Sequence, residues 1–277
     1  MRATSAAMRR SSVVTALALI LAVVPAQAEE LRVCLLEHDL PRASRADATG
    51  FDHDLFREAA DRLDRVFVPV WRPDAPFYSE IEDSELPLDD LAAGECDLVP
   101  SVPGSIALGR LAEAIDLSPP YYAAAFEIYM PSTDHVEWSG LAETVAGRKV
   151  AVRLQSLAHF AVQWAGLDWT SQTTATAVAA AVDDGRAVAA LIWGPALGRL
   201  QKEPVHSFEP PAGLRFNEHA AMRSGDGLVA EIGRALDELR RDGTLQRLAT
   251  RYGIFRIEPF TTVSSPAAIR ALNAGGE

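Results

Sequence analysis

A short apolar run that leads into a Pro/Gly/Ser loop constrains this chain more than any other feature. The run is 96–99 and the loop is 100–105, with Ser101 in it. Such a run, bounded by turn residues, is typical of a buried parallel strand, and ligands bind beyond the carboxyl ends of such strands in open α/β sheets. The stretch closes on PPYY at 119–122, whose prolines favour an extended crossover over a helix. We therefore expect Ser101 in a pocket wall and Tyr121 at the start of a hinge.

Strand-like and helix-like patterns alternate along the rest of the chain. Short apolar runs predict buried strands, and apolar residues that recur every three to four positions predict helices. Their order predicts an α/β protein with two doubly wound lobes. The residues from Thr261 onward are too small and polar to predict an element. The predicted strands are 31–36, 66–71, 96–99, 126–130, 149–152, 188–192 and an extended 214–222, and the predicted helices are 51–63, 88–93, 157–165, 175–183, 228–239 and 244–252.

Residues 1–28 have the organisation of a secretory signal peptide. Three arginines precede an apolar core at 13–24, and an A-x-A cleavage signal ends at Ala28, so the mature chain would begin at Glu29. The alternative is an uncleaved membrane anchor, but the apolar core is shorter than the roughly 20 residues that a spanning helix needs. The sequence therefore predicts an exported protein located in the periplasm.

Charge and motifs exclude several classes of function. The chain has 26 basic against 38 acidic residues, a net charge of −12, and the predicted signal peptide removes only basic ones. Such a surface repels phosphate backbones and anionic membranes, so we do not expect nucleic acid as a partner. No G-x-S-x-G, H-E-x-x-H or phosphate-binding glycine loop occurs in the sequence, and we predict neither an enzyme nor a cofactor.

The two cysteines are Cys34 and Cys96. An even number in an oxidising compartment favours a disulfide between them, and each lies in a predicted buried strand of the first lobe. The alternative is a pair of inert buried thiols. Neither cysteine has a C-x-x-C partner or a nearby histidine, so a catalytic or metal-binding role has little support.

Four motifs along the mature chain occur together in a known family. They are Cys34 in the first strand, GECDLV at 94–99, PYY at 120–122 and IWGP at 192–195. In this combination the chain resembles the type II periplasmic solute-binding proteins (bacterial extracellular solute-binding protein family 3-like). Within that group it is most similar to the binding proteins associated with quinoprotein dehydrogenases.

The resemblance implies that a two-strand hinge joins the two lobes and that the lobes close on a ligand in the cleft between them. Lobe one would comprise 29–122 and 218–277, and lobe two 123–217. We expect a monomer that binds a small molecule for a PQQ-type (quinoprotein) alcohol or methanol dehydrogenase system, with that dehydrogenase or an ABC transporter permease as a partner. The alternative is an accessory or chaperone-like protein that contacts the dehydrogenase or its cytochrome without a transported ligand.

Two positions depart from the amino-acid receptors of this group. Those receptors clamp a carboxylate with an arginine five residues before an aspartate, whereas Arg110 lies six residues before Asp116. Because of this shift in spacing, two positions are open for Arg110: it points into the cleft, or it lies on the surface. The amino-acid receptors also bind the amino group of their ligand with an aspartate, at the position where this chain has Trp193. Burying an ammonium group without an anion costs free energy. We expect a ligand other than an amino acid, and Trp193 either offers it an indole face or packs against a neighbouring helix.

The remaining candidate ligand contacts lie in loops after predicted strands. Glu37 and His38 follow the first strand. Together with the acids at 52–54 they invite a calcium-like interpretation, but the spacing is not that of a calcium loop and we predict no metal. Gln155 and Ser156 lie between a strand and a helix, where free N–H groups favour an anion or a carbonyl. The alternative, which we favour, is that Ser156 only caps the helix.

Overall fold

The structure is a computed structural model that describes residues 28–73, 86–131 and 135–274. The predicted signal peptide, apart from Ala28, lies outside the described residues. The strands are β1 (Glu30–Leu36), β2 (His38–Asp39), β3 (Ala43–Ser44), β4 (Val66–Arg72), β5 (Val99–Val102), β6 (Ile115–Leu117), β7 (Tyr122–Tyr129), β8 (Val150–Arg153), β9 (Trp169–Gln172), β10 (Ala189–Trp193) and β11 (Arg215–Arg223). The helices are α1 (Phe51–Arg62), α2 (Leu88–Ala92), α3 (Leu141–Val145), α4 (Leu157–Trp164), α5 (Ala175–Asp183), α6 (Gly194–Arg199), α7 (Leu228–Arg241), α8 (Thr244–Tyr252) and α9 (Pro266–Ala274).

Lobe one is built on β1 and β4, which pair in parallel along their whole lengths. A parallel bridge from Val33 to Leu98 adds the segment ahead of β5. Helices α1, α7 and α8 pack against one another, and α1 also packs on β4. Apolar residues recur every three to four positions in α1 and so share one face of the helix. On that face Leu55, Phe56 and Ala59 are fully buried.

Lobe two is a sheet in the order β7–β10–β8–β9, with α5 packed on β8, β9 and β10. Strand β10 is antiparallel to β7 and parallel to β8, which is in turn parallel to β9. Every residue of β7 and β10 is buried. Such strands read as continuous apolar runs, and for that reason the sequence predicts them.

Two long strands pass between the lobes. β7 and β11 are antiparallel neighbours where 122–125 faces 215–218. Farther along, β7 pairs with β10, whereas β11 pairs with β5 and β6. The hydrogen-bonded ladders of the two lobes therefore join through this crossover pair. Glu218 is the last residue of β11 to pair with β7 before the strand changes partner.

Three predictions of local structure are wrong. The strand expected at 96–99 lies three residues later, as β5, where it is antiparallel to β11, and only the bridge from Val33 to Leu98 has the expected parallel direction. Ser101 therefore lies in a strand and not in a loop. The strand predicted at 126–130 begins at Tyr122, four residues earlier. The end of the chain, expected to form no element, contains α9, which packs against α4 of lobe two.

Cys34 and Cys96 form a disulfide with their Cα atoms 5.7 Å apart, which confirms that prediction. The bond ties β1 to the segment ahead of β5 and lies in an apolar cluster with Leu91 and Val99. Within the three described ranges, no helix is long and apolar enough to cross a membrane. The residue boundaries between the lobes stay a prediction.

Candidate functional site

Four buried polar side chains form one hydrogen-bonded network at β5. The Ser101 hydroxyl donates to one carboxylate oxygen of Asp52 at 2.5 Å, and the Tyr121 hydroxyl donates to the other at 2.7 Å. The hydroxyl groups of Tyr122 and Ser101 lie 2.8 Å apart. The backbone N–H of Ser101 donates to the Tyr121 hydroxyl oxygen at 2.9 Å. The network therefore fastens α1 and β5 of lobe one to the start of the crossover.

The backbone around the network brings a loop and a helix start into close contact. Asp52 lies in the first turn of α1, where the helix dipole favours an anion. Its N–H donates to the carbonyl of Arg42 at 2.9 Å. A Cβ on Gly50 would lie 2.3 Å from that carbonyl oxygen, and Gly50 has φ 134°, so a glycine is needed here. Ser101 has φ 53°, a conformation that costs a non-glycine residue free energy.

A charged pair and an unpaired carboxyl group border the network. Arg42 contacts both oxygens of Asp39, at 2.9 and 2.8 Å. Glu218 is only 1% exposed, and its Oε2 has no hydrogen-bond partner in the part of the chain that the structure describes. Burial raises the pKa of Glu218 to about 8, with the nearby Arg42 charge opposing the rise. Burial likewise raises the pKa of Asp52 to about 6, against the hydrogen bond from Ser101.

Two cavities differ greatly in size. The one at the network is about 20 Å³, with Asp39, Arg42, Asp52 and Ser101 in its wall, which is room for roughly one water molecule. The other is about 580 Å³ and lies between α6 of lobe two and α8 of lobe one. That volume is within the usual range for a small-molecule pocket. Its polar wall includes Arg199, Gln201, Lys202, Gln246, Thr250 and Arg251.

The turn before α4 holds two of the predicted ligand contacts. The Ser156 hydroxyl accepts from the N–H of His159 at 3.3 Å and donates to the carbonyl of Arg153 at 2.8 Å. Gln155 has φ 63°, and its N–H donates to His159 Nδ1 at 3.1 Å. Ser156 therefore caps the helix, and the N–H of Gln155 is already used. Contact of either residue with a ligand stays a prediction.

Trp193 and Arg110 have protein partners in this structure. Trp193 is 6% exposed and packs against the rings of Phe126 and Phe216, one from each crossover strand, at centroid distances of 5.2 and 5.8 Å. The indole thus fills the space beside the crossover pair. Arg110 is exposed and bonds both carboxylate oxygens of Asp89 at 2.7 Å.

Of the eight ligand contacts predicted from the sequence, the structure brings only Ser101 and Tyr121 together in the network. Glu37 forms an ion pair with Arg45, and His38 is exposed in β2. None of the eight lines the larger cavity. Sequence reasoning missed Glu218, although its position on the same strand face as Phe216 and Ala220 is a signal that could have identified it as a buried acid. The described ranges contain no group of three or more His, Cys, Asp and Glu residues that could hold a metal ion.

Removing the Tyr121 hydroxyl is expected to destabilise the protein more than removing the Tyr122 hydroxyl. Y121F leaves the buried N–H of Ser101 and one oxygen of Asp52 without this partner, at a cost of about 2–3 kcal/mol. Y122F removes only a contact with the Ser101 hydroxyl, worth about 1 kcal/mol. Urea denaturation of both variants measures the difference. Equal losses would contradict the network.

Two α/β lobes, an antiparallel crossover pair and a cavity between the lobes define the fold of the type II periplasmic binding proteins. The family model for bacterial extracellular solute-binding proteins, family 3, matches residues 31–255. The chain belongs to this family. The matched region runs from β1 to just beyond α8 and ends before α9.

Several solved structures share the fold. The L-cystine solute receptor of Neisseria gonorrhoeae, in its unliganded open conformation, is 20% identical with a TM-score of 0.66, over 84% of this chain and 96% of that one. MxaJ from Methlophaga aminisulfidivorans MPT is 21% identical with a TM-score of 0.62, over 82% and 99%. The ancestral amino acid-binding protein AncCDT-1, a precursor of cyclohexadienyl dehydratase, is 21% identical with a TM-score of 0.53, over 81% and 95%. No curated protein matches the chain closely enough in sequence to count as a relative.

Proposed function

We propose that this chain is a periplasmic binding protein that holds a small molecule between its lobes and serves a quinoprotein alcohol or methanol dehydrogenase system. The observation that carries the proposal is the cavity of about 580 Å³ with walls from both lobes. Family membership supports binding as the activity. The motifs around Cys34, at 94–99, at 120–122 and at 192–195 support the dehydrogenase association, and the N-terminal signal pattern supports the periplasm.

The wall of the cavity suits a small polar ligand with hydrogen-bond acceptors. Lys202 is held by Asp183 at 3.0 Å, and Arg251 lies 3.4 Å from Asp54, so both cations are partly neutralised by the protein. Arg199 is exposed at the end of α6. The same wall also holds the acid Glu203, so a ligand acceptor would meet a few N–H donors and no strong net positive charge. None of the eight contacts predicted from the sequence lines this cavity, so they remain proposals for a ligand bound elsewhere between the lobes.

A matching small molecule is expected to raise the melting temperature. A ligand at 100 times its Kd adds about 2.7 kcal/mol to the free energy of unfolding, which corresponds to roughly 5–11 °C for a chain of this size. A thermal-shift screen of small metabolites and PQQ-like quinones measures it. Thr250→Trp, which places an indole ring in the wall of the cavity, should reduce the shift. Thr176→Trp, on the exposed surface of α5, should leave it unchanged.

The outcomes separate this proposal from its alternative, a ligand-independent accessory protein that contacts the dehydrogenase or its cytochrome. No shift with any compound, together with retention of purified quinoprotein dehydrogenase on the immobilised protein, would favour the accessory protein. A shift of the same size in Thr250→Trp and in the wild-type protein would argue that the ligand binds outside this cavity. If the protein binds a permease and not a dehydrogenase, the proposed ligand binding stands and only the proposed partner changes.

A further inference from the structure

The chain continues past the part that matches the family model. The match ends at residue 255, whereas the described chain runs to residue 274. We call residues 256–264 the strap. The strap leaves lobe one after α8 and leads into α9, which packs against α4 of lobe two.

The strap is bonded to the first crossover strand through Arg256. The N–H of Ala123 donates to the carbonyl of Arg256 at 3.0 Å. The guanidinium of Arg256 contacts both carboxylate oxygens of Glu127, at 2.6 and 3.0 Å, and also donates to the carbonyl of Phe208 at 3.1 Å. Glu127 lies in β7 and is only 1% exposed. A buried carboxylate needs such a partner, so this contact is costly to break.

The strap is also bonded to the second crossover strand. The side-chain amide of Asn217 donates to the carbonyl of Phe260 at 3.0 Å and accepts from its N–H at 2.8 Å. The Asn217 side chain thus bonds both the N–H and the carbonyl of Phe260, as the backbone of a neighbouring β-strand would. The N–H of Ser264 donates to the carbonyl of Arg215 at 2.7 Å. The strap therefore bonds both β7 and β11.

Helix α9 anchors the far end on lobe two. Leu272 is 5% exposed, and a Cβ on Gly213 would lie 2.7 Å from its Cδ1. The Ser264 hydroxyl donates to the carbonyl of Gly213 at 3.0 Å. A close approach also fixes the near end, since a Cβ on Gly198 of lobe two would lie 1.8 Å from the carbonyl oxygen of Gly253, just before the strap. The chain therefore lies against the backbone of lobe two at both ends of the strap.

We propose that the strap is a third connection between the lobes, which holds them in one relative orientation and makes opening of the cleft depend on its release. Two antiparallel strands alone leave the lobes able to rotate about the crossover pair. A third bonded segment that ends in a helix packed on lobe two removes that freedom, because its contacts with both crossover strands would have to break. Relatives have been crystallised in open conformations, and in this chain such an opening would require release of the strap.

The distance between the lobes tests the proposal without any ligand. Spin labels on D61C in α1 and T176C in α5, both exposed positions, report it by pulsed electron paramagnetic resonance, since the native cysteines are in a disulfide. The wild-type chain should give one narrow distance distribution. E127Q/R256Q, which removes both charges of the buried ion pair, should add a second distance. L272D, which places a charge in the contact of α9, should do the same.

The control is R241Q/D237N, which removes an exposed ion pair within α7 and should leave the wild-type distribution unchanged. If E127Q/R256Q does not fold by circular dichroism, L272D decides, because it leaves the buried ion pair intact. Two distances in the wild-type chain, or a wild-type distribution in a folded strap variant, would overturn the proposal.

Discussion

Replacing Glu218 with glutamine is expected to remove much of the pH dependence of stability between about pH 4 and pH 8. The folded-state pKa of Glu218 is about 8 because the carboxyl group is buried, whereas an unfolded glutamate titrates near 4.3. Between those values the folded chain binds more protons than the unfolded chain. The free energy of unfolding therefore falls as pH rises through this range and levels off above pH 8. The loss is on the order of 5 kcal/mol as an upper bound, from 1.36 kcal/mol per pKa unit.

The charged groups around Glu218 determine how much pH dependence of stability the E218Q variant should keep. Arg42 opposes the rise in its pKa, whereas Asp52 and Asp39 add to it. Asp52 has a folded-state pKa of about 6 and shifts in the same direction. E218Q should therefore keep a weaker decline in stability between about pH 4 and pH 6.

Urea denaturation at one-unit pH steps from 4 to 9 measures the effect. The matched control is Glu143→Gln, at an exposed position in α3, which should keep the wild-type profile. The quantity compared is the slope against pH and not the stability at one pH, because the glutamine amide also changes local hydrogen bonding. Parallel profiles for wild-type protein and E218Q would show that Glu218 is ionised in the folded state at neutral pH.

The helices are the part of the fold that the sequence predicts best, because their ends carry local signals. Helix α5 matches its predicted range, 175–183, and the Thr174 side chain caps it by accepting from the N–H of Ala177. Helix α8 also matches, at 244–252, and follows Gly243 with φ 81°. These signals act over a few residues, so no distant partner is needed to recognise them.

Strand positions were predicted less well, because a strand is set by its partner. The run 96–99 is apolar apart from Asp97, but β5 begins only at Val99, where it pairs with β11, more than a hundred residues later in the chain. The strap and α9 were missed for a similar reason, since small and polar residues from 261 onward predict no core. Pro266 at the first position of α9 is a local start signal that the composition obscured.

The residues of the candidate site show the same difference between local and distant signals. Ser101 and Tyr121 were predicted because they stand in a loop-like segment and a proline-rich crossover, both of which the sequence displays. Arg42 and Glu218 join them only because a loop and the second crossover strand meet in space. The eight predicted ligand contacts could not identify the wall between α6 and α8, since the motif at 192–195 reaches only the first two residues of α6 and does not include the cavity-lining residues at its end.

Loss of the Cys34–Cys96 disulfide is expected to lower the free energy of unfolding by about 4 kcal/mol, from the entropy of closing a loop of this length. The two cysteines are 62 residues apart in sequence, so reduction frees a long segment of the unfolded chain. For a protein of this size the loss corresponds to a fall in melting temperature of roughly 8–16 °C. Calorimetry of C34A/C96A against the oxidised wild-type protein measures it.

The reduced wild-type protein separates the effect of the cross-link from that of the side chains. Both cysteines are buried, at 1% and 0% exposure, in an apolar cluster with Leu88, Leu91 and Val102. If the cross-link dominates, reduced wild-type protein and C34A/C96A should melt within a few degrees of each other, because alanine removes only the two sulfur atoms from a packed core. A reduced protein that melts with the oxidised one would mean that packing of β1 against the segment ahead of β5 holds lobe one together without the bond.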